Sequence, residues 1–197
     1  MKKILVTILV VVMITMRKYK IINKENLPKD DGFIIVLNHR DYWDLPLVIS
    51  IMGSKRSVHP LVKVELEKQL AGRVLGFMGA VFVNRKDPED RKLARLKLVG
   101  LVLNGSNVLI CPEGTRNKTD ALLLPFAGCG AVSIAQTTGR PIVPFAISRY
   151  GTKNRQRFIR ICNPFYVGAE DDLDEANNRL RTYLYDALLE NTRLQKG

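Results

Sequence analysis

Short apolar runs that alternate with helical patterns constrain the fold of this chain more than any other feature. Strands, mostly buried on both faces, are predicted at 33–37, 58–63, 80–83, 107–111, 142–148, 157–162 and 165–167. Helices are predicted at 45–52, 65–77, 88–103, 130–138 and 173–194. In a chain of 197 residues, this alternation predicts one α/β domain with a mixed, mostly buried central sheet flanked by helices.

The N-terminal segment is predicted to be a membrane anchor that precedes this domain. A largely apolar run at 4–16 is shorter than the roughly 20 residues needed to span a bilayer squarely. The basic and aromatic stretch that follows it would suit lipid headgroups. We therefore assign 1–22 to the anchor, 23–31 to a polar linker and 32–197 to the folded domain. A first buried element of the core and a cleaved signal peptide remain the alternatives.

The charge balance predicts anionic partners. Lysine and arginine number 31 against 19 acids, a formal net charge of +12. Anionic lipids, phosphorylated small molecules, acidic carrier proteins and nucleic acid would all fit such a chain. Nucleic acid is not expected, because no basic stretch is interleaved with aromatic residues. The three cysteines show no spacing typical of metal ligands, so no metal site is expected.

A histidine and an aspartate beyond the first predicted strand form a candidate catalytic pair. His39 and Asp44 are separated by four residues, and five positions turn about 500° on a helix, so they cannot share a helical face. A bend between them would bring the carboxylate to one ring nitrogen, which is the arrangement of a general base. No serine or cysteine occupies a nucleophile signature, which favours a base acting directly on a substrate hydroxyl. The alternative is a loop histidine beside an aspartate that only caps a helix.

Two further strand ends carry groups suited to an anion. Arg85 follows one strand, and arginine is a permanently charged, bidentate donor that matches phosphate. Gly114, Thr115 and Arg116 follow another strand, where glycine permits a tight loop and the neighbouring groups could converge on an anion. If each motif is considered alone, Arg85 could be an ordinary surface arginine, and the loop at 114–116 could be an ordinary β-turn.

Taken together and in this order, these segments resemble the glycerolipid acyltransferase family, specifically the 1-acyl-sn-glycerol-3-phosphate acyltransferases. The matching positions are His39 and Asp44 for His-x4-Asp, Gly79, Phe82 and Arg85 for Gly-x-x-Phe-x-x-Arg, 112–116 for Pro-Glu-Gly-Thr-Arg, and 141–144 for the proline-bearing fourth block. Pro144 in that block would suit an edge strand or a strand end. The resemblance covers roughly residues 32–148.

Three positions depart from the family pattern. Cys111 and Asn117 stand where the family commonly has phenylalanine and serine. Ala127 ends a Pro-Phe-Ala sequence where members often carry Pro-Phe-Lys. The missing lysine leaves the acceptor headgroup and the acyl donor open, whereas the His39–Asp44 pair is intact.

The resemblance implies transfer of a fatty acyl group from acyl-CoA or acyl carrier protein to the sn-2 hydroxyl of 1-acylglycerol-3-phosphate. The product would be phosphatidic acid, for phospholipid synthesis, and no cofactor beyond the acyl donor is implied. His39 would act as the base, Asp44 would orient it, and Arg85, Gly114, Thr115 and Arg116 would bind the acceptor phosphate. Glu113 belongs to the same set, as the residue that organises its loop.

The resemblance also implies a place at the cell membrane. The domain spanning 32–197 would be the acyltransferase domain, peripheral or held by residues 1–22, with its active site facing the cytoplasm and with anionic lipids as partners. Two other functions remain open, namely acyl transfer to a different glycerolipid or lysophospholipid, and a non-catalytic module that binds anionic lipids. A lipid-binding module would not need the His39–Asp44 pair, so the presence of the pair favours an enzyme.

Overall fold

A seven-stranded mixed sheet forms the centre of the single α/β domain. The computed structural model describes residues 19–148 and 156–196. The strands in these residues are β1 Tyr19–Ile22, β2 Ile34–Leu37, β3 Val58–Lys63, β4 Val81–Val83, β5 Asn107–Ile110, β6 Ile142–Ile147 and β7 Arg157–Ile161. Their order across the sheet is β1-β7-β6-β2-β5-β3-β4. The mixed sheet confirms the fold class that the sequence predicted.

Helices cover both faces of this sheet. They are α1 Asp44–Met52, α2 Leu70–Phe77, α3 Pro88–Leu103, α4 Gly130–Thr138 and α5 Leu173–Lys196. The α1 helix packs in one apolar cluster, and α3, α4 and α5 pack in the cluster on the other face. None of the helices within residues 19–148 and 156–196 combines the length and apolar composition that crossing a bilayer requires.

The central strand β2 links the two clusters. Ile34 and Val36 belong to one cluster and Ile35 and Leu37 to the other, and all four side chains have no exposed surface. Burying each such side chain contributes about 1.5–3 kcal/mol relative to leaving it exposed. The β2 strand pairs in parallel with β5 on one side and β6 on the other, which fixes where its carboxyl end lies.

The first strand lies within the segment that the sequence assigned to the anchor. Tyr19–Ile22 pairs in parallel with β7 as an edge strand, although 1–22 was assigned to the anchor. Residues 1–18 of that assignment lie outside the described residues. Part of the predicted linker is also structured, because a 3-10 turn occupies Lys24–Asn26 and the Asn26 amide donates to the Ile161 carbonyl over 2.9 Å.

Two further predicted elements differ in detail. The helix predicted at 65–77 is divided into a 3-10 turn at Val64–Leu66 and α2, since Gln69 between them is extended. A Cβ atom on Gly72 would overlap the Leu66 carbonyl, so glycine allows α2 to fold closely onto the preceding turn. The strand predicted at 165–167 is reduced to a single bridge between Phe165 and Ile142.

The expectation that Pro144 marks an edge strand or a strand end was wrong. It lies within β6, an interior strand between β2 and β7. The ladder with β7 begins one residue later, at Phe145 opposite Ile161. The Pro144 carbonyl accepts from Cys162 N over 2.9 Å, but the proline has no N–H to donate back to Cys162, so the regular ladder with β7 begins only at Phe145.

Candidate active site

The carboxyl ends of β2 to β6 lie along one edge of the sheet, which we call the site edge. These five strands are mutually parallel. His39 follows β2, Arg85 follows β4, and the loop from Glu113 to Arg116 follows β5. Loops beyond the carboxyl ends of parallel strands are where α/β folds place their sites, so the topology brings the sequence-predicted residues to one region.

A buried amide makes the chain turn away from the sheet before His39. Asn38 has no exposed surface, and its side chain forms two hydrogen bonds with the backbone of Ile147 at the end of β6. Its Nδ2 donates to the Ile147 carbonyl over 3.0 Å, and its Oδ1 accepts from the Ile147 N–H over 2.7 Å. This side chain takes over both bonds of a β-ladder residue. The backbone at His39 is therefore free to leave the sheet plane.

His39 and Asp44 meet across the turn that follows. The two side chains approach to 3.0 Å between Nδ1 and Oδ2. The same oxygen accepts from the backbone N–H groups of Arg40 and Asp41, each over 2.6 Å, and Asp44 is 1% exposed. Asp44 makes no capping bond to α1, which begins at Asp44 itself. With a hydrogen on Nδ1 facing the carboxylate, Nε2 is left to accept a proton, which is the geometry of a general base.

Glu113 holds the backbone beside the histidine. Its two oxygens accept from His39 N over 2.7 Å and from Leu124 N over 2.8 Å. The side chain is 5% exposed, and burial raises the pKa of Glu113 against the opposing effect of these two backbone bonds. Both oxygens of Glu113 thus accept hydrogen bonds from backbone N–H groups, one on each side of the loop.

The two arginines of the predicted phosphate set make different contacts. Arg85 donates to the carbonyl of Gly114. The Arg116 guanidinium lies over the ring of Tyr42, with 3.5 Å between its carbon and the ring centroid. Thr115, between these two loop positions, is exposed. A cation therefore sits against the turn that carries His39, and a second arginine supports the neighbouring loop.

Gly114 needs the freedom of glycine for two reasons. Its φ is 68°, in the left-handed region that side chains rarely adopt. A Cβ atom there would also lie 3.1 Å from the Ala127 Cβ and 3.2 Å from Arg85 Nη1. The loop can therefore pack against Arg85 only with glycine at this position.

Comparison with known proteins relates this chain to a family. Residues 18–148 match the family model described as Acyltransferase, and this span contains every residue of the candidate site. The chain belongs to the acyltransferase family. This finding supports the resemblance that the ordered motifs indicated.

Curated relatives of the acyltransferase family match over part of their length. The chain is 34% identical over 128 residues to the 1-acyl-sn-glycerol-3-phosphate acyltransferase of Bacillus subtilis, covering 64% of this chain and 61% of the relative. It is 31% identical over 169 residues to the chloroplastic enzyme BAT2 of Brassica napus, of the same name, covering 79% and 48% respectively. The chain thus spans about half to three fifths of the length of these relatives.

A solved structure supports the fold. The 1-acyl-sn-glycerophosphate acyltransferase PlsC from Thermotoga maritima superposes with a TM-score of 0.66 at 23% identity. The superposition covers 88% of this chain and 72% of PlsC. The similarity therefore extends beyond the motifs to the arrangement of the sheet and helices.

Sequence reasoning missed two residues that hold the site of this acyltransferase-family chain together. Arg40 donates to the carbonyls of Thr119, Ala121 and Leu122 over 3.2, 2.5 and 2.6 Å. Asn117 is buried, and its N–H donates to the His39 carbonyl over 2.7 Å. Their partners are distant in sequence, so the only available signal was that Asn117 departs from the family pattern.

The side chain of Asn117 organises the segment that follows it. Its Oδ1 accepts from the N–H and the hydroxyl of Thr119 over 3.0 and 2.8 Å, and its amide donates to Ala121 O over 2.9 Å. Ala121 O therefore receives bonds from both Asn117 and Arg40. The segment from 117 to 122 is tied to the turn that carries His39.

The Cys111 thiol, which directly follows β5, is held in its protonated form by its surroundings. Burial, and then the charges of Asp44 and Glu113, raise the pKa of the Cys111 thiol, so the reactive thiolate is scarce. Among residues 19–148 and 156–196, no group of three or more histidine, cysteine or acidic side chains could hold a metal ion.

Proposed function

We propose that this chain transfers a fatty acyl group from an acyl thioester to the free sn-2 hydroxyl of 1-acylglycerol-3-phosphate, making phosphatidic acid. The observation that carries the proposal is the 3.0 Å contact between His39 Nδ1 and Asp44 Oδ2 at the site edge, beside the Arg116 cation. The family match and the names of the curated relatives support the same chemistry.

The mechanism uses His39 as a general base. Nε2 of His39 removes the proton of the acceptor hydroxyl while the oxygen attacks the thioester carbonyl. The C–S bond then breaks, and the protonated imidazole returns the proton to the departing thiolate. Asp44 keeps the ring oriented and stabilises the imidazolium. Because the acceptor oxygen attacks the thioester directly, no covalent acyl-enzyme intermediate is needed.

Acceptor recognition is assigned to the loops after β4 and β5. Arg116 offers a guanidinium to the acceptor phosphate, with Thr115 and the tight turn at Gly114 beside it. Arg85 stabilises that turn through the Gly114 carbonyl and retains further N–H donors for the phosphate. Acyl-CoA and acyl carrier protein are both anionic, so the basic chain suits either donor.

We place the reaction at the cytoplasmic face of the cell membrane. The acceptor and product are lipids, and the apolar run at 4–16 is suited to holding the domain there. No cofactor or metal takes part in the proposed reaction.

One contact favours a different acceptor as a second candidate. Ala127, at the position where family members often carry lysine, donates through its N–H to Pro112 O over 2.8 Å and would meet a Cβ on Gly114. A lysine here would bring a cation to the predicted phosphate loop. If Ala127→Lys raises activity on 1-acylglycerol-3-phosphate relative to other lysophospholipids, the wild-type loop is adapted to another headgroup.

The decisive experiment is an acyl-transfer assay on the purified full chain with both donors and a panel of acceptors. His39→Gln should lower turnover by about 10²–10⁴-fold, the usual contribution of a general base. The other histidine of the chain supplies the control, since His59 lies in β3 and contacts Ser57, just before that strand, and Gly79 O, in the turn before β4. A His39→Gln variant as active as His59→Gln would overturn the mechanism, and a wild type inactive on every acceptor would overturn the function.

A further inference from the structure

Stacking on Tyr42 is the contact that holds the Arg116 guanidinium. The guanidinium carbon lies 3.5 Å from the centroid of the ring. Among the residues that the structure describes, neither the guanidinium nor the Tyr42 hydroxyl has a hydrogen-bond or ion-pair partner. The flat face of the cation meets the ring, so its N–H donors, which lie in the plane, stay available to an anion.

Tyr42 stands on the turn that Asp44 closes. Oδ2 of Asp44 accepts from the backbone N–H groups of Arg40 and Asp41, the two residues that precede Tyr42. The same oxygen contacts Nδ1 of His39. The carboxylate that orients the base therefore also fixes the backbone that carries the Tyr42 ring, and a cation stacked on this ring keeps a constant place relative to the base.

The backbone next to Arg116 is tied to the same turn. The N–H of Asn117, the following residue, donates to the His39 carbonyl over 2.7 Å. A backbone bond does not fix the long Arg116 side chain, which would otherwise sample many rotamers, and the ordering of such a side chain opposes ligand binding. The Tyr42 ring removes this freedom before a ligand arrives.

We propose that Tyr42 is a positioning residue, which holds Arg116 ready for the acceptor phosphate while His39 takes the proton of the acceptor hydroxyl. The inference rests on the proposed function, in which one small molecule carries both groups. In 1-acylglycerol-3-phosphate the free hydroxyl and the phosphate are on neighbouring carbons, so the base and the cation must be in place together. Tyr42 takes no part in proton transfer, and its removal should therefore act on acceptor binding.

The test measures the acceptor KM and kcat of the full chain. Tyr42 is 69% exposed, so its substitution opens no cavity in the core. Tyr42→Leu should raise the acceptor KM about 2- to 5-fold, the ratio that corresponds to an exposed cation–π contact, with little change in kcat. Tyr42→Phe keeps the ring and should keep the wild-type KM. Tyr185→Leu, which removes a tyrosine exposed by 37% on α5, is the matched control. A Tyr42→Leu variant that loses kcat at an unchanged KM, or a Tyr42→Phe variant with the same rise in KM, would overturn the proposal.

A double-mutant cycle shows whether Tyr42 acts through Arg116. If it does, Tyr42→Leu should cause no further rise in KM in a chain that already carries Arg116→Ala. An equal fold-change in KM in both backgrounds would mean that Tyr42 acts by another route, and the proposal would be wrong.

Binding in the absence of an acyl donor separates this inference from the proposed function. Calorimetry with a soluble, short-chain 1-acylglycerol-3-phosphate should give a Kd that Tyr42→Leu raises several-fold and Tyr42→Phe does not. If this pattern is found but the wild type transfers no acyl group to any acceptor, the role of Tyr42 stands and the proposed function fails. If the wild type is active but Tyr42→Leu binds the ligand as tightly, the function stands and the inference fails. A wild type that does not bind this ligand would overturn both.

Discussion

Asp44 holds His39 and the turn between them with a single carboxylate oxygen. Oδ2 lies 3.0 Å from His39 Nδ1 and also accepts from Arg40 N and Asp41 N over 2.6 Å each. The group that orients the proposed base therefore also closes the backbone on which the base stands. As a result, substitutions of the two residues should have different consequences for stability.

Asp44→Ala should lower both activity and stability. The substitution leaves the N–H groups of Arg40 and Asp41 without their buried acceptor, which costs about 1–3 kcal/mol for an unsatisfied group, and it releases the His39 ring. His39→Gln should lose turnover with little change in stability. Denaturant unfolding and turnover of both variants, beside Asp186→Ala on the exposed face of α5, test this contrast. An Asp44→Ala variant as stable as Asp186→Ala would contradict the assigned role.

The two arginines should differ in their kinetic effects. Arg116→Ala removes a cation stacked on Tyr42 and should chiefly raise the acceptor KM, by about 10-fold or more for a charged hydrogen bond of about 1.5–3 kcal/mol. Arg85→Ala also frees the Gly114 carbonyl and should lower kcat as well as raise KM. Initial rates over a range of acceptor concentrations measure both, with Arg91→Ala on α3 as the control. An unchanged acceptor KM in both variants would sink the phosphate assignment.

Glu113 should make stability depend on pH. Burial raises the pKa of this carboxyl, so the folded protein keeps a proton that the unfolded chain releases. This contribution to stability is complete below the ordinary glutamate pKa and is lost as pH rises through the raised pKa. Relative to Glu113→Gln, the wild-type free energy of unfolding should therefore decline with rising pH across this window. Denaturant titrations at several pH values check it, and a difference that stays constant with pH would show that Glu113 titrates like an exposed acid.

Asn117→Ala should loosen the segment beside the histidine. The change removes the side-chain oxygen that accepts from Thr119 and the side-chain amide that donates to Ala121 O. Because Asn117 is buried, the loss should lower the free energy of unfolding by about 1–3 kcal/mol. Hydrogen exchange at residues 117–122 should accelerate, and kcat should fall because Asn117 N also binds the His39 carbonyl. Asn178→Ala, at an exposed position of α5, is the matched control. Unaltered exchange in this segment would refute the role.

Much of the fold could be predicted because local patterns carry it. The helix at 88–103 was predicted with the observed ends, since Pro88 suits a first helical turn and Asp87 caps it through bonds to Glu89 N and Asp90 N. The buried strands were recognisable as apolar runs of four to six residues. The edge strand β1 was missed because it directly follows an apolar run, and strand pairing with β7, more than 130 residues away, decides its conformation.

Part of the candidate site could also be predicted from local sequence patterns. His39 and Asp44 are close in sequence, so a bend between them could be inferred from their spacing alone, and the structure places them in contact. The contact of Arg85 with Gly114 and the bonds of Arg40 to the segment at 119–122 cross long stretches of chain. No local pattern encodes such pairs, because their partners meet only when parallel strands end at one edge.

The sequence by itself determined the α/β class, the ordered motifs and the chemical groups available for a base and an anion site. These properties depend on residue types and on short-range periodicity, which a linear chain displays directly. Only the tertiary structure decided that one oxygen of Asp44 contacts His39 Nδ1 and the N–H groups of Arg40 and Asp41. It also decided that both oxygens of Glu113 accept from backbone N–H groups. Strand pairing, finally, places the start of β1 at the site edge. The reason is that hydrogen-bond partners and strand directions are set by which distant segments pack together, and packing is a property of the folded sheet.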